Sequence, residues 1–106
     1  MYWIILIVAG IFEFSFTTFL KLSENFSKLW PTVAFIITST LSLVFLSWSL
    51  KGIPLGTAYA IWTGIGAVGT VTVGIILFKE PLTFPRLFFI LMIIASIIGL
   101  KLVSKG

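Results

Sequence analysis

Cysteine and histidine are both absent from the 106-residue chain. Their absence removes thiol nucleophiles, disulfides, imidazole bases and the usual transition-metal ligands together. Acids are nearly as scarce, since Glu13, Glu24 and Glu80 are the only side-chain carboxylates and stand far apart in sequence. A hydrolase or metalloenzyme has almost nothing to work with, so no enzymatic activity, cofactor or metal site is expected. Charged residues make up 9% of the chain, against about 25% in a soluble domain. The seven Lys and Arg give a net charge of +4, but they are scattered singly rather than gathered into the patch a nucleic acid would need. No basic residue precedes the first apolar run, an acid interrupts it, and no small-x-small site follows it. It therefore does not read as a cleaved signal peptide.

What is present is hydrocarbon. The chain is 59% hydrophobic, with a mean hydropathy of +1.24. This composition predicts an all-α integral membrane protein folded as one domain over residues 1–106. A membrane-crossing helix needs about 20 mostly apolar residues. Four such spans are legible, approximately 2–20, 30–50, 57–78 and 87–103.

The first span, Met1–Leu20, holds one carboxylate, Glu13. At mid-membrane an ionisable group is costly and faces a partner, a cavity or an ion path. The plainer reading is a neutral acid hydrogen-bonded to a neighbouring helix. Positions three and four away share its helix face, namely Ala9, Gly10, Phe16 and Thr17. Thr17 is spaced to donate a hydrogen bond to the carboxylate. Ala9 and Gly10 either admit a ligand or form a close helix-packing seam.

The second span, Trp30–Leu50, opens on Trp-Pro, an interfacial aromatic followed by a proline at a helix start. Its hydroxyls are Thr32, Thr38, Ser39, Thr40, Ser42, Ser47 and Ser49. Most are expected to bond back to their own helix; Ser42, at the depth of Glu13, is the candidate partner for it. The third span, Thr57–Phe78, carries Gly64, Gly66, Gly69 and Gly74. Gly64 and Gly66 lie mid-span and read as a hinge. Tyr59, Trp62 and Thr63 share one face just before them. Trp62 is about 9 Å into the span, deep for an interfacial anchor, and an aromatic wall beside a carboxylate suits a cation. The connection Lys79–Arg86 contains two prolines and is expected to be non-helical. The last span, Leu87–Val103, is apolar until Lys101, which is expected to snorkel to the interface. Its Ala95 and Gly99 form a small-xxx-small pair suited to dimer packing.

Short connections place the amino terminus, Lys51, Lys101 and Lys105 on one side of the membrane. Lys21, Lys28, Lys79 and Arg86 fall on the other, three basic side chains against four. Such a bias sets orientation, and its near cancellation predicts insertion both ways round. Alternating access is typically built from inverted repeats around a mid-membrane site. One four-helix chain lacks that repeat, and two antiparallel copies would supply it. They would gather two Glu13 residues and two Tyr59–Trp62 walls around one cavity. Proton and cation would then compete for the same carboxylates, so that binding one releases the other. Two other classes stand beside this reading: an obligate heterodimer subunit, and a non-transporting assembly factor in which Glu13 is a structural contact.

The residues Gly10-Ile11-Phe12-Glu13, Leu20-Lys21, Leu29-Trp30-Pro31, Ser42 and Gly99-Leu100-Lys101 carry a family resemblance, with the run Pro54-Leu55-Gly56-Thr57-Ala58-Tyr59-Ala60-Ile61-Trp62-Thr63-Gly64-Ile65-Gly66 its strongest part. The chain resembles the small multidrug resistance transporters of the drug/metabolite transporter superfamily along essentially its whole length. The resemblance implies an antiparallel, dual-topology homodimer in the bacterial inner membrane that exchanges protons for organic cations. It implies that Glu13 binds proton and substrate and that Ser42, Tyr59 and Trp62 line the pocket; Gly10, Phe16, Thr17 and Thr63 join them by helix face. Gly10, Ala67 and Lys101 look like the guanidinium-exporter branch, whereas Thr17 looks like the quaternary-ammonium multidrug branch. Phe16 matches neither, standing where the guanidinium branch has tryptophan and the multidrug branch glycine. Loss of the indole N–H leaves a greasier wall. The expected substrates are therefore guanidinium and guanidinyl compounds, with substituted or quaternary ammonium cations as the alternative.

Overall fold

The computed structural model describes residues 1–103, and Lys105, counted above in the charge balance, lies outside the described residues. Backbone N–H and C=O groups in lipid must find partners within the chain, and here they do so in four helices: α1 (Tyr2–Leu22), α2 (Leu29–Ser49), α3 (Leu55–Leu77) and α4 (Phe84–Val103). Each is 20 to 23 residues long, about 30–35 Å, which matches a hydrocarbon core of about 30 Å. All four are long and apolar enough to cross a membrane. The chain is a multi-pass membrane protein.

Two helices begin two or more residues earlier than expected. α3 starts at Leu55 because Pro54 takes an extended conformation before it and its carbonyl accepts the Ala58 N–H at 2.9 Å. α4 starts at Phe84, which corrects the expectation that residues 79–86 are non-helical throughout. The Thr83 carbonyl accepts the Leu87 N–H at 3.0 Å and its hydroxyl accepts the Arg86 N–H at 3.4 Å. Pro85 therefore falls in the first turn, where a missing N–H costs nothing. The α1–α2 connection is a tight left-handed turn, with positive φ at Glu24, Asn25 and Phe26. Buried Ser23 holds it, donating its hydroxyl to the Leu20 carbonyl at 2.7 Å and accepting the Phe26 N–H at 3.1 Å. After α3, Lys79 adopts φ 55°, and the Glu80 N–H returns to the Gly74 carbonyl at 3.1 Å.

The helices form a slab of 44 × 35 × 17 Å. α1 is its centre: α2 and α3 both pack on it, α2 and α3 barely meet, and α4 packs mainly on α3. The α1–α2 seam is antiparallel and aromatic, pairing Phe12 with Phe45, Phe16 with Phe35 and Phe19 with Trp30 at 5.7–5.8 Å between ring centres. α1 and α3 run the same way, with Gly10 against Ile65, Glu13 against Gly66 and Phe14 against Gly69. The apolar core of Leu6, Ile53, Ala58 and Ile61 lies toward the end where the chain starts, leaving Glu13 just beyond it. Lys101 meets the Trp3 ring at that same end, 5.1 Å from its centre. No residue of α4 is buried; Ala95 is exposed, and a Cβ at Gly99 would meet open space.

Candidate functional site

Glu13 sits near the middle of α1, and its carboxylate rests on the bare backbone of α3 at Gly66. A Cβ on Gly66 would overlap the carboxylate. The smooth patch extends along α3, since Gly69 likewise receives the Phe14 ring. Oxygen Oε2 of Glu13 is buried and, among the described residues, has no hydrogen-bond partner. A buried acceptor without a donor is uncommon, because leaving such a group unmet costs about 1–3 kcal/mol, and more when it is charged. Its two expected donors are engaged elsewhere. Thr17 donates to the Phe14 carbonyl at 2.9 Å and lies 2.8 Å from the Thr70 hydroxyl. Ser42, the candidate partner by depth, donates instead to the Ala9 carbonyl at 2.8 Å. Depth along a helix is readable from sequence, but which way each side chain points around it is not.

Ser42 is fully buried and has a second bond, accepting the Trp62 indole N–H at 2.8 Å. The relay Trp62–Ser42–Ala9 thus links α3, α2 and α1 one turn from Glu13. In an α-helix the Ala9 carbonyl also accepts the Glu13 amide, so the relay ends on the backbone that carries the carboxylate. Most other α2 hydroxyls bond back to their own helix, as Thr32, Thr38, Ser39 and Thr40 do. Trp62 in turn packs beside Tyr59, with ring centres 5.8 Å apart. Tyr59 is 56% exposed and Thr63 is exposed as well, so this wall is open on the side away from its own bundle.

Gly10 is buried against Ile65 of α3, and the Phe16 ring leans edge-on against Phe35 in the α1–α2 seam. Both flank Glu13 through packing. Gly64 faces Ile93 and Ile97 of α4, and α3 runs unbroken through Gly64 and Gly66. Among the described residues no three His, Cys, Asp or Glu side chains converge where they could hold a metal ion. A groove of about 470 Å³ between α3 and α4, lined by residues including Ala60, Gly64, Met92, Ile93 and Ile97, does not include Glu13. Sequence reasoning missed two participants: the Ala9 carbonyl, invisible as a side chain, and Thr70. The signal for Thr70 was its position four residues after Gly66, on the same face of α3.

Comparison with known proteins returns one consistent answer. The family described as Small Multidrug Resistance protein matches residues 1–93. A guanidinium exporter of Proteus vulgaris is 50% identical over 104 residues, covering 98% of this chain and 100% of the relative. Guanidinium exporters of Salmonella typhimurium and Escherichia coli K12 are 48% and 45% identical, each over 96% of this chain and 97% of the relative.

Proposed function

The chain belongs to the small multidrug resistance family, and from that premise we propose that it exports guanidinium and small guanidinyl cations in exchange for protons bound at Glu13. The single observation that carries this reading is the buried, donor-free Glu13 oxygen. Such an acceptor is met by a proton, which neutralises it, or by a cation that brings its own N–H groups. A planar guanidinium supplies parallel N–H bonds to a carboxylate. A quaternary ammonium has no N–H and would rely on charge and on ring faces. The exposed Tyr59 ring beside Trp62 favours some tolerance of substituted cations, which is the second reading.

One chain offers a carboxylate, one aromatic wall and an open side, so the cavity is completed by a second copy. An antiparallel homodimer in the bacterial inner membrane fits the near-balanced loop charges. It also gives α4, with its exposed Ala95 and open Gly99, something to pack against. The pocket then comprises Glu13, Gly10, Phe16, Thr17, Ser42, Tyr59, Trp62 and Thr63 of each copy. Gly64 and Gly66 are the most deformable stretch of α3 and serve as its hinge between inward-open and outward-open arrangements. Because cation and proton occupy the same carboxylates, arrival of one displaces the other, and the inward proton gradient drives the cation out. The test is proton-coupled current from purified protein in liposomes, comparing guanidinium with a tetraalkylammonium. Guanidinium currents abolished by Glu13→Gln are expected. Equal guanidinium currents in the Glu13→Gln variant would end this reading, and currents with the tetraalkylammonium alone would favour the second.

A further inference from the structure

The seam that seats Glu13 sets side chains on glycine: Ile65 of α3 on Gly10 of α1, and Glu13 and Phe14 of α1 on Gly66 and Gly69 of α3. At Gly66 and Gly69 it is bare backbone, not a polar side chain, that meets Glu13 and Phe14, so this stretch of the seam offers the carboxylate no side-chain donor. Along the turn of this seam that follows Glu13, one polar tie crosses from α1 to α3: the Thr17 and Thr70 hydroxyls, 2.8 Å apart. Their protons can be placed. Thr17 donates to the Phe14 carbonyl at 2.9 Å, leaving its lone pairs to accept, so Thr70 is the donor between them. Thr17 lies four residues after Glu13 and Thr70 four after Gly66, so the hydroxyl pair stands one helical turn from the carboxylate seat on both helices at once.

A threonine in a membrane helix ordinarily bonds back to its own i−4 carbonyl. Thr18, Thr38, Thr40 and Thr72 do so here. Thr70 instead spends its proton on another helix. We propose that Thr70, acting through Thr17, is a positioning residue for Glu13. Its hydroxyl fixes the register of α1 on α3 on the side that follows Glu13 and so helps hold the carboxylate on the Gly66 backbone, its buried Oε2 having no donor among the described residues. The inference rests on the reading of Glu13 as the cation-binding carboxylate. The Trp62–Ser42–Ala9 relay ties α3 to α1 one turn before Glu13 and the Thr17–Thr70 bond ties them one turn after it, so the two bracket the carboxylate.

Thr70→Val keeps the side-chain shape and removes the donor, while Thr70→Ser keeps the donor. An interhelical hydroxyl bond in a membrane is worth about a threefold factor on average and about twentyfold at most. In folded, size-selected protein, Thr70→Val is expected to raise the guanidinium dissociation constant about threefold and to broaden the Glu13 carboxyl-carbon resonance. Thr70→Ser is expected to restore both. In a Thr17→Val background the Thr70→Val change should have no further effect, since the bond is already gone. Unchanged affinity and an unchanged resonance in Thr70→Val would overturn the assignment, as would additive effects of the two valines. Glu13→Gln, run alongside, separates the two ideas. If it still binds guanidinium the proposed function fails; if it does not, while Thr70→Val binds normally, only the positioning role fails.

Discussion

Replacing Gly66 with alanine should separate stability from function in one step. The added Cβ would overlap the Glu13 carboxylate, and the backbone beneath it is a continuous helix that does not yield easily. The obstructing atoms are the far end of a flexible side chain, so the carboxylate is what moves. For folding, two effects oppose each other. Alanine in a helix interior gains about 1 kcal/mol over glycine, while overpacking costs about 1–3 kcal/mol, the lower end applying when the neighbour can swing aside. Net stability should stay within about 1 kcal/mol of the parent. Binding has no such compensation, because the displaced group is the one that carries the charge. The expected loss of guanidinium affinity is at least tenfold, or about 1.4 kcal/mol. Thermal unfolding and guanidinium titration in the same detergent measure the two together. Gly56→Ala is the control, since a Cβ there meets nothing within 4 Å. Affinity within twofold of the parent would refute the seat at Gly66. Stability and affinity falling together by the same amount would make Gly66 a packing residue and nothing more.

Three further outcomes follow from the same geometry. If one proton leaves Glu13 for each cation bound, guanidinium affinity must fall as pH falls, approaching tenfold per pH unit at the acid end, and proton release on binding must mirror it; titration calorimetry in buffers of different ionisation heat reads both. Ser42→Ala leaves the half-buried Trp62 N–H without its acceptor and should cost about 1 kcal/mol of stability, with a change in Trp62 fluorescence; an unchanged melting temperature would mean the relay has no energetic weight. Lys79→Gly relieves a left-handed backbone at φ 55° that costs a side chain about 1–2 kcal/mol, so it should stabilise modestly while leaving transport as it was, and destabilisation would refute the strain.

The four spans were legible because lipid permits so few backbone solutions, and a long apolar run can hardly be anything but a helix. Glu13 stood out for the related reason that its burial is so costly. The misread positions share a physical cause. Phe84 and Pro85 looked like a break because proline was weighed without asking where in the helix it would fall. Thr17 and Ser42 were expected to serve the acid by spacing and depth, but where each hydroxyl sends its proton could not be assigned from either. A hydroxyl has three staggered directions, and its choice depends on the neighbouring helix's rotation. Thr70 was passed over because its place four residues after Gly66 acquires a meaning only when α1 approaches and gives its hydroxyl a use.

α4 packs mainly on α3, meeting α1 where Lys101 covers the Trp3 ring, which has a consequence for how the protein is made. Chains emerge amino terminus first and fold as units. The relay of Trp62, Ser42 and Ala9, the Gly66 seat and the Thr17–Thr70 bond all lie within residues 9–70. A nascent chain therefore has each of these parts before the last hydrophobic segment has left the ribosome. The groups gathered around Glu13 are thus supplied by the first three helices, and α4 arrives afterwards to cover Gly64 with Ile93 and Ile97.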